Sequence, residues 1–279
     1  MKIGLVTDNT CNLPLEFLEK NDIGVASLYI LRDGNHIKAV DLCPTTFYEE
    51  LKVGSYIPLT SQPSVKDFEE VYREMLKKYD YLITVTISEK LSGTLNSARL
   101  ASTMVDEKRI FVVDSKLTSF GLGFLLLELK ERIESNNYSL EQLIEYAKNF
   151  YNTIKIIFTV TNLDYLYKGG RIGKAKALMG GLLNMKPLLS LVDGEIIPVK
   201  SVRGYNKMIK ELVNFSLERI DTLKLKRTAI IHTGNLKYGT MIIDELNNRG
   251  IKEDTYALLD PVIGTHLGPD AIGVITQWE

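Results

Sequence analysis

Short apolar runs alternate with helical patterns through the first half of this chain, and that alternation restricts the fold more than any other feature. Ile3 to Thr7 precedes a helix after Pro14, Tyr81 to Ile87 precedes a helix after Gly93, and Ile110 to Val113 follows. Apolar runs separated by helix-length segments are joined by crossovers, which gives a parallel sheet with helices packed on it. Ser64 follows Pro63 and stands three residues before Asp67, ahead of the amphipathic stretch Phe68, Val71, Tyr72, Met75 and Leu76. That spacing predicts a capped helix start. Asn136-Asn137 closes a helix running from about Leu122, and another opens near Ser139 with Glu141 close behind.

The second half has a different grammar. Pro187 to Val192 and Glu195 to Val199 flank Asp193-Gly194, the strongest short-range signal for a tight hairpin, so antiparallel pairing is expected. A helix from about Asn206 to Ile220 follows. Strands then come at Thr228 to His232, Thr255 to Leu259 and Ala271 to Thr276, with a helix around Thr240 to Asn248. At 279 residues the chain is longer than one growing core favours. The expected fold is therefore α/β with two domains. Residues 1–155 form an N-terminal, Rossmann-like parallel α/β domain, and 156–279 an α+β domain with a mixed or antiparallel sheet.

Composition excludes several classes of function. Thirty-four basic against 35 acidic residues leave a formal net charge of −1, so no global field draws in nucleic acid. Nowhere do about 18 apolar residues run uninterrupted, the length a membrane helix needs, so no integral membrane association is expected. The run Ile3 to Val6 reads as a strand and is too short for a signal-peptide core. Cys11 and Cys43 are far apart and in no Cys-x-x-Cys pairing, which speaks against a zinc site or a redox dithiol. A reduced, cytoplasmic setting fits.

Hydroxyl-rich turns mark the ends of the first-half strands: Thr7-Asp8-Asn9-Thr10, Thr60-Ser61-Gln62-Pro63-Ser64, Ser88, Ser92-Gly93-Thr94 and Asp114-Ser115. Each alone reads best as a cap or turn former. Several at equivalent strand ends point to the ligand crevice of an open α/β sheet. Ser92-Gly93-Thr94 hands a strand over to a helix, where free N–H groups and the positive helix end suit an anion, a small carboxylate or a phosphate.

Other motifs carry less. Lys168-Gly169-Gly170-Arg171-Ile172-Gly173-Lys174 has glycines spaced wrongly for a phosphate-binding loop, and Ala175 stands where a metal-binding hydroxyl is required. Gly121-Leu122-Gly123 lacks the third glycine of a dinucleotide fingerprint and reads as a helix-entry turn. His36 in a polar turn and His232 at a strand end receive no role. His266 lies between two glycines in Gly264-Thr265-His266-Leu267-Gly268-Pro269, where the backbone can approach a site closely, so it is a candidate. No Gly-x-Ser-x-Gly elbow supports a hydrolase.

In combination these segments resemble the DegV family. The resemblance rests on Thr7-Asp8-Asn9-Thr10 with Leu13-Pro14, Thr60-Ser61-Gln62-Pro63, Leu91-Ser92-Gly93-Thr94 and Asp114-Ser115. It continues through Leu163-Asp164-Tyr165-Leu166, Lys168 to Gly173, Lys186-Pro187 and Gly264 to Pro269, in the family's order along nearly the whole chain. Asn9 stands where many relatives have Ser, and Asp260 where Gly is common.

The resemblance implies a two-domain protein that binds one long-chain fatty acid, such as palmitate. It implies a carboxylate held by Thr60 or Ser61 and by Ser92 with Gly93, and supported by His266. It further implies a non-catalytic carrier subunit, with no cofactor or metal, that presents the acid to an ATP-dependent fatty acid kinase subunit for conversion to acyl phosphate. Arg171 and Arg203 are its candidates for contact with that partner. Two rivals remain open: a phosphotransferase or acyl hydrolase using Asp8, Asp114 and His266, and a regulatory binding module without lipid.

Overall fold

The computed structural model describes residues 1–32, 34–54, 57–180 and 185–279. In chain order the elements are β1 (Ile3–Asp8), α1 (Leu15–Lys20), β2 (Gly24–Ala26), β3 (Tyr29–Arg32), β4 (Asn35–Lys38), α2 (Pro44–Val53), β5 (Leu59–Ser61), α3 (Val65–Met75), β6 (Tyr81–Thr86), α4 (Thr94–Val105), β7 (Ile110–Asp114), α5 (Phe120–Ser135) and α6 (Leu140–Asn149). They continue as β8 (Ile154–Thr159), α7 (Asp164–Lys168), β9 (Met185–Val192), β10 (Glu195–Arg203), α8 (Tyr205–Ser216), β11 (Leu225–His232), α9 (Leu236–Asn247), β12 (Thr255–Leu258), α10 (Pro261–Leu267) and β13 (Ile272–Trp278).

Two compact units result: Met1–Asp41 with Thr60–Asn152, and Leu42–Leu59 with Thr153–Glu279. The expected single stretch of residues 1–155 is corrected here, because Leu42–Leu59 leaves the first unit and packs with the second. The reason is non-local. The buried Tyr48 on α2 donates its hydroxyl to the Leu259 carbonyl at 3.0 Å, and Gly264 on α10 lies flat against its ring. Burial pushes the Tyr48 phenol well above its ordinary pKa.

The first unit carries an all-parallel sheet in the order β2-β1-β6-β7. β1 is buried along its whole length, as a strand covered on both faces must be. Its core joins Val6, Ala26, Leu82 and Ile110 to Phe68, Tyr72 and Met75 of α3 and to Ala98 and Ala101 of α4. α3 begins with the expected capping box, in which Ser64 Oγ accepts from Asp67 N and Asp67 accepts from Ser64 N at 2.7 Å. α5 ends on Asn136 in the left-handed conformation, and Ser139 caps α6 through a second capping box closed by Gln142. A small sheet, β4-β3-β5, was not anticipated, and His36 lies in β4 rather than in a turn.

The second unit holds a mixed sheet in the order β10-β9-β8-β13-β11-β12, antiparallel except where β11 meets β12. Asp193 and Gly194 join β9 to β10 with both φ angles positive, 47° and 76°, as a tight hairpin turn of the twist-compatible kind requires. α8 and α9 bury Leu212, Val213, Ile242 and Leu246 against Ile230, Val274 and Trp278. Among the described residues no helix is long and apolar enough to cross a membrane.

Candidate functional site

The sheet order of the first unit creates a crevice. β1 leads outward to β2 on one flank and β6 leads outward to β7 on the other, so the loops leaving β1 and β6 part company. Such a switch point at the carboxyl ends of parallel strands is where ligands bind in open α/β sheets.

Several polar residues there tie loops together. The fully buried Asp8 carboxylate accepts from Thr10 N at 2.9 Å, Thr10 Oγ1 at 2.5 Å and, across the crevice floor, Ile87 N at 2.8 Å. Burial raises its pKa and these hydrogen bonds pull it back. Ser115 Oγ donates to the Thr86 carbonyl at 2.6 Å, and Asp114 accepts from Glu89 N and Lys116 N at 3.2 and 3.0 Å. Burial also raises the Asp114 pKa. Both carboxylates that a hydrolytic reading would use are thus engaged by backbone donors.

The Ser92-Gly93-Thr94 turn is built differently. Ser92 is buried, its Oγ lies 2.8 Å from Thr94 Oγ1, and its own N–H is taken by the Ser88 carbonyl at 3.1 Å. α4 starts at Thr94 with Gly93 as its N-cap, so no N-cap side chain covers the first turn, and Ser92 Oγ accepts from Thr94 N at 3.4 Å. Gly93 has φ −73°, which any residue tolerates. Its glycine is needed for space, since a Cβ would coincide with the side-chain oxygen of Gln62. The Gln62 amide also donates to Ser97 Oγ at 2.9 Å.

Gln62 therefore draws the Thr60-Ser61-Gln62 segment onto the start of α4. Thr60 and Ser61 are half-buried at the end of β5, and the start of α4 carries a buried hydroxyl set of Ser92, Thr94 and Ser97. The cluster is neutral and rich in hydroxyls, suited to holding a carboxylate oxygen by hydrogen bonds without burying a counter-cation. Gln62 and Thr94 lie within motifs the sequence points to but receive no individual role there, and Ser97 carries no sequence signal. The available signal was Pro63, which restricts the preceding residue to extended backbone and so fixes where Gln62 projects.

The remaining candidates belong to the second unit. Residues 261–267 fold as α10, with Asp260 accepting from Val262 N at 2.8 Å as the cap and Pro261 in the first turn. The glycines of this segment pack closely against aromatic rings. A Cβ on Gly268 would strike the Tyr165 ring. His266 packs its imidazole against Gly169, where a Cβ would collide with its Nδ1. Burial, and then the Arg171 charge, lower the His266 pKa to about 4, so the ring is neutral at physiological pH. Arg171 donates to the Gly169 carbonyl at 2.6 Å, and its own pKa is lowered by burial. Arg203, exposed, ends β10, whereas Gly173 meets the Ile196 carbonyl near that strand's start. The structure thus joins His266 to the Gly169–Arg171 turn and leaves Arg203 at the other end of a nine-residue strand.

The family model described as "Uncharacterised protein, DegV family" matches residues 2–278. A protein of Thermotoga maritima named fatty acid-binding protein is 33% identical over 282 residues, covering 98% of this chain and 96% of its own. A Thermus thermophilus structure described as fatty acid binding of a DegV family protein superposes with a TM-score of 0.91 at 32% identity, covering all of both chains. A stearic acid-binding protein from Eubacterium ventriosum gives 0.86 at 27% identity, covering 99% and 98%. The chain belongs to the DegV family.

Proposed function

We propose that this protein binds one long-chain fatty acid, such as palmitate, and presents its carboxylate to an ATP-dependent kinase subunit that converts it to acyl phosphate. The observation that supports the reading is the Gln62 contact with Gly93 and Ser97, which ties the segment following Thr60 and Ser61 to the start of α4 in the first unit. Thr60 or Ser61 and Ser92 donate to the carboxylate, and the start of α4 supplies N–H groups. His266 and the Gly169–Arg171 turn are the second unit's candidates for ligand and partner chemistry, with Arg203 as a further partner contact.

Energetics favour an acyl ligand with a weakly held head. Burying a methylene is worth ~0.8 kcal/mol, so a sixteen-carbon tail offers on the order of 11 kcal/mol before ordering costs. The head group then fixes orientation. Hydroxyl donors suit a carrier, because they accept a carboxylate and its acyl phosphate without trapping either. The chain itself catalyses nothing in this account. The setting in this account is the reduced cytoplasm, where thiols such as Cys11 and Cys43 stay reduced.

The test is reconstitution. Purified protein loaded with palmitate is mixed with a bacterial fatty acid kinase subunit and ATP, and acyl phosphate is trapped as the hydroxamate. Product should require both proteins. Hydroxamate from this chain and ATP alone, or none with any kinase subunit despite bound lipid, contradicts the proposal.

A further inference from the structure

The entry to α5 departs from ordinary helix starts in three ways at one residue. Ser119 is the N-cap, yet its side chain makes no capping hydrogen bond. Its backbone sits at φ 52° and ψ −147°, a region that essentially only glycine occupies without strain. Its Oγ is buried, with the residue 1% exposed, and has no hydrogen-bond partner; the neighbouring Thr118 Oγ1 is shut off from solvent in the same state. A serine at an N-cap normally accepts from the first turn, and a buried hydroxyl without a partner is costly. Glycine would remove both penalties, so a serine here is expected to serve something other than the fold.

Position indicates what. Ser119 N donates to the Thr10 carbonyl at 2.7 Å, and a Cβ on Gly123 would approach the Cys11 carbonyl to 2.6 Å, so α5 is pressed onto the turn leaving β1. On the other side the Leu117 carbonyl accepts from Ser88 N at 2.9 Å, in the loop leaving β6. Residues 117–119 therefore span both walls of the switch-point crevice. The 16-residue α5 points its positive end there, and its first turn carries no acidic side chain.

We propose that Ser119, Thr118 and the first-turn N–H groups of α5 form a second oxyanion-accepting station in the first unit, taking a carboxylate oxygen of the bound acid. This rests on the fatty-acid reading and extends its head-group site to a helix end not assigned before. The backbone strain at Ser119 holds the hydroxyl away from the cap and available to the ligand.

The experiment compares wild type with Ser119→Gly and Thr118→Val by titration with palmitate and with hexadecanol, which has the same tail and no carboxylate. Ser119→Gly relieves the strain, so the ligand-free protein should melt about 2–4 °C higher. Its palmitate affinity should fall about tenfold while hexadecanol affinity holds, and Thr118→Val should weaken palmitate in the same selective way. Unchanged palmitate affinity in both variants overturns the proposal, as does an equal loss for hexadecanol, which would place the hydroxyls along the tail. Wild type that binds no palmitate sinks the fatty-acid reading itself, whereas normal wild-type binding with indifferent variants sinks only this station.

Discussion

A methyl group on Gly93 would occupy the place of the Gln62 side-chain oxygen. Two turns 31 residues apart in sequence are thereby held in van der Waals contact, and a glycine that needs no special backbone angle becomes irreplaceable for the site. Gly93→Ala should push the flexible Gln62 tip aside and break its hydrogen bond to Ser97. The cost to folding is about 1 kcal/mol, since a side-chain end can move. Palmitate affinity should drop about fivefold or more. Calorimetric titration and a melting curve together check this, and a large loss of melting temperature with unchanged affinity contradicts it.

Ser92→Ala removes the buried hydroxyl two residues ahead of α4. Loss of a hydrogen bond to a charged group costs roughly 1.5–3 kcal/mol, so palmitate should bind about 10- to 100-fold more weakly. Thr60→Ala and Ser61→Ala are compared in the same assay. One of them should match Ser92→Ala, which identifies the second donor, and indifference of all three contradicts the assignment.

His266 should titrate near 4 in the ligand-free protein, against an ordinary 6.5, because burial and Arg171 disfavour its charged form. The unfolded chain then binds more protons than the folded one between those values. The sign follows: the stability that depends on a neutral ring is complete above about pH 6.5, declines as pH falls, and is lost below about pH 4. The shift corresponds to about 3 kcal/mol. Proton NMR of the ring reads the titration directly, and His266→Gln should flatten the melting-temperature profile between pH 6.5 and 4. A His266 that titrates near 6.5 contradicts the buried environment.

Gly264→Ala should destabilise the second unit. Its new methyl would meet the Tyr48 ring at 2.5 Å, and Tyr48 is fixed by its hydrogen bond to the Leu259 carbonyl. Overpacking of this kind typically costs 1–3 kcal/mol, or about 2–8 °C in melting temperature. Tyr48→Phe should also lower stability, because it strands the Leu259 carbonyl. Neutral outcomes for both would remove the reason for placing residues 42–59 with the second unit.

Much of this was readable from single residues. Ser64 with Asp67, Asn136, Ser139 and Asp193-Gly194 act on their immediate neighbours, so their sequence signals survive folding. The membership of Leu42–Leu59 was not readable, because it depends on Tyr48 reaching a carbonyl 211 residues away. The β4-β3-β5 sheet escaped for another reason: its strands are three or four residues long and mostly exposed or half-buried, without the alternation that marks a core face. α10 was read as a glycine-bearing segment, although Asp260 before Pro261 is a helix-start signal. The hydroxyls of Ser92 and Ser115 looked alike in the sequence. Only contacts separate them, since Ser115 is spent on the Thr86 carbonyl while Ser92 stands in the neutral cluster beside Gln62.

The most direct measurement is the lipid content of the protein as purified, and again after incubation with excess palmitate and removal of free lipid, by organic extraction and quantitative mass spectrometry. The account predicts a single C16 or C18 acid per chain, retained by wild type and diminished in Ser92→Ala. A chain that carries no fatty acid in either preparation contradicts it.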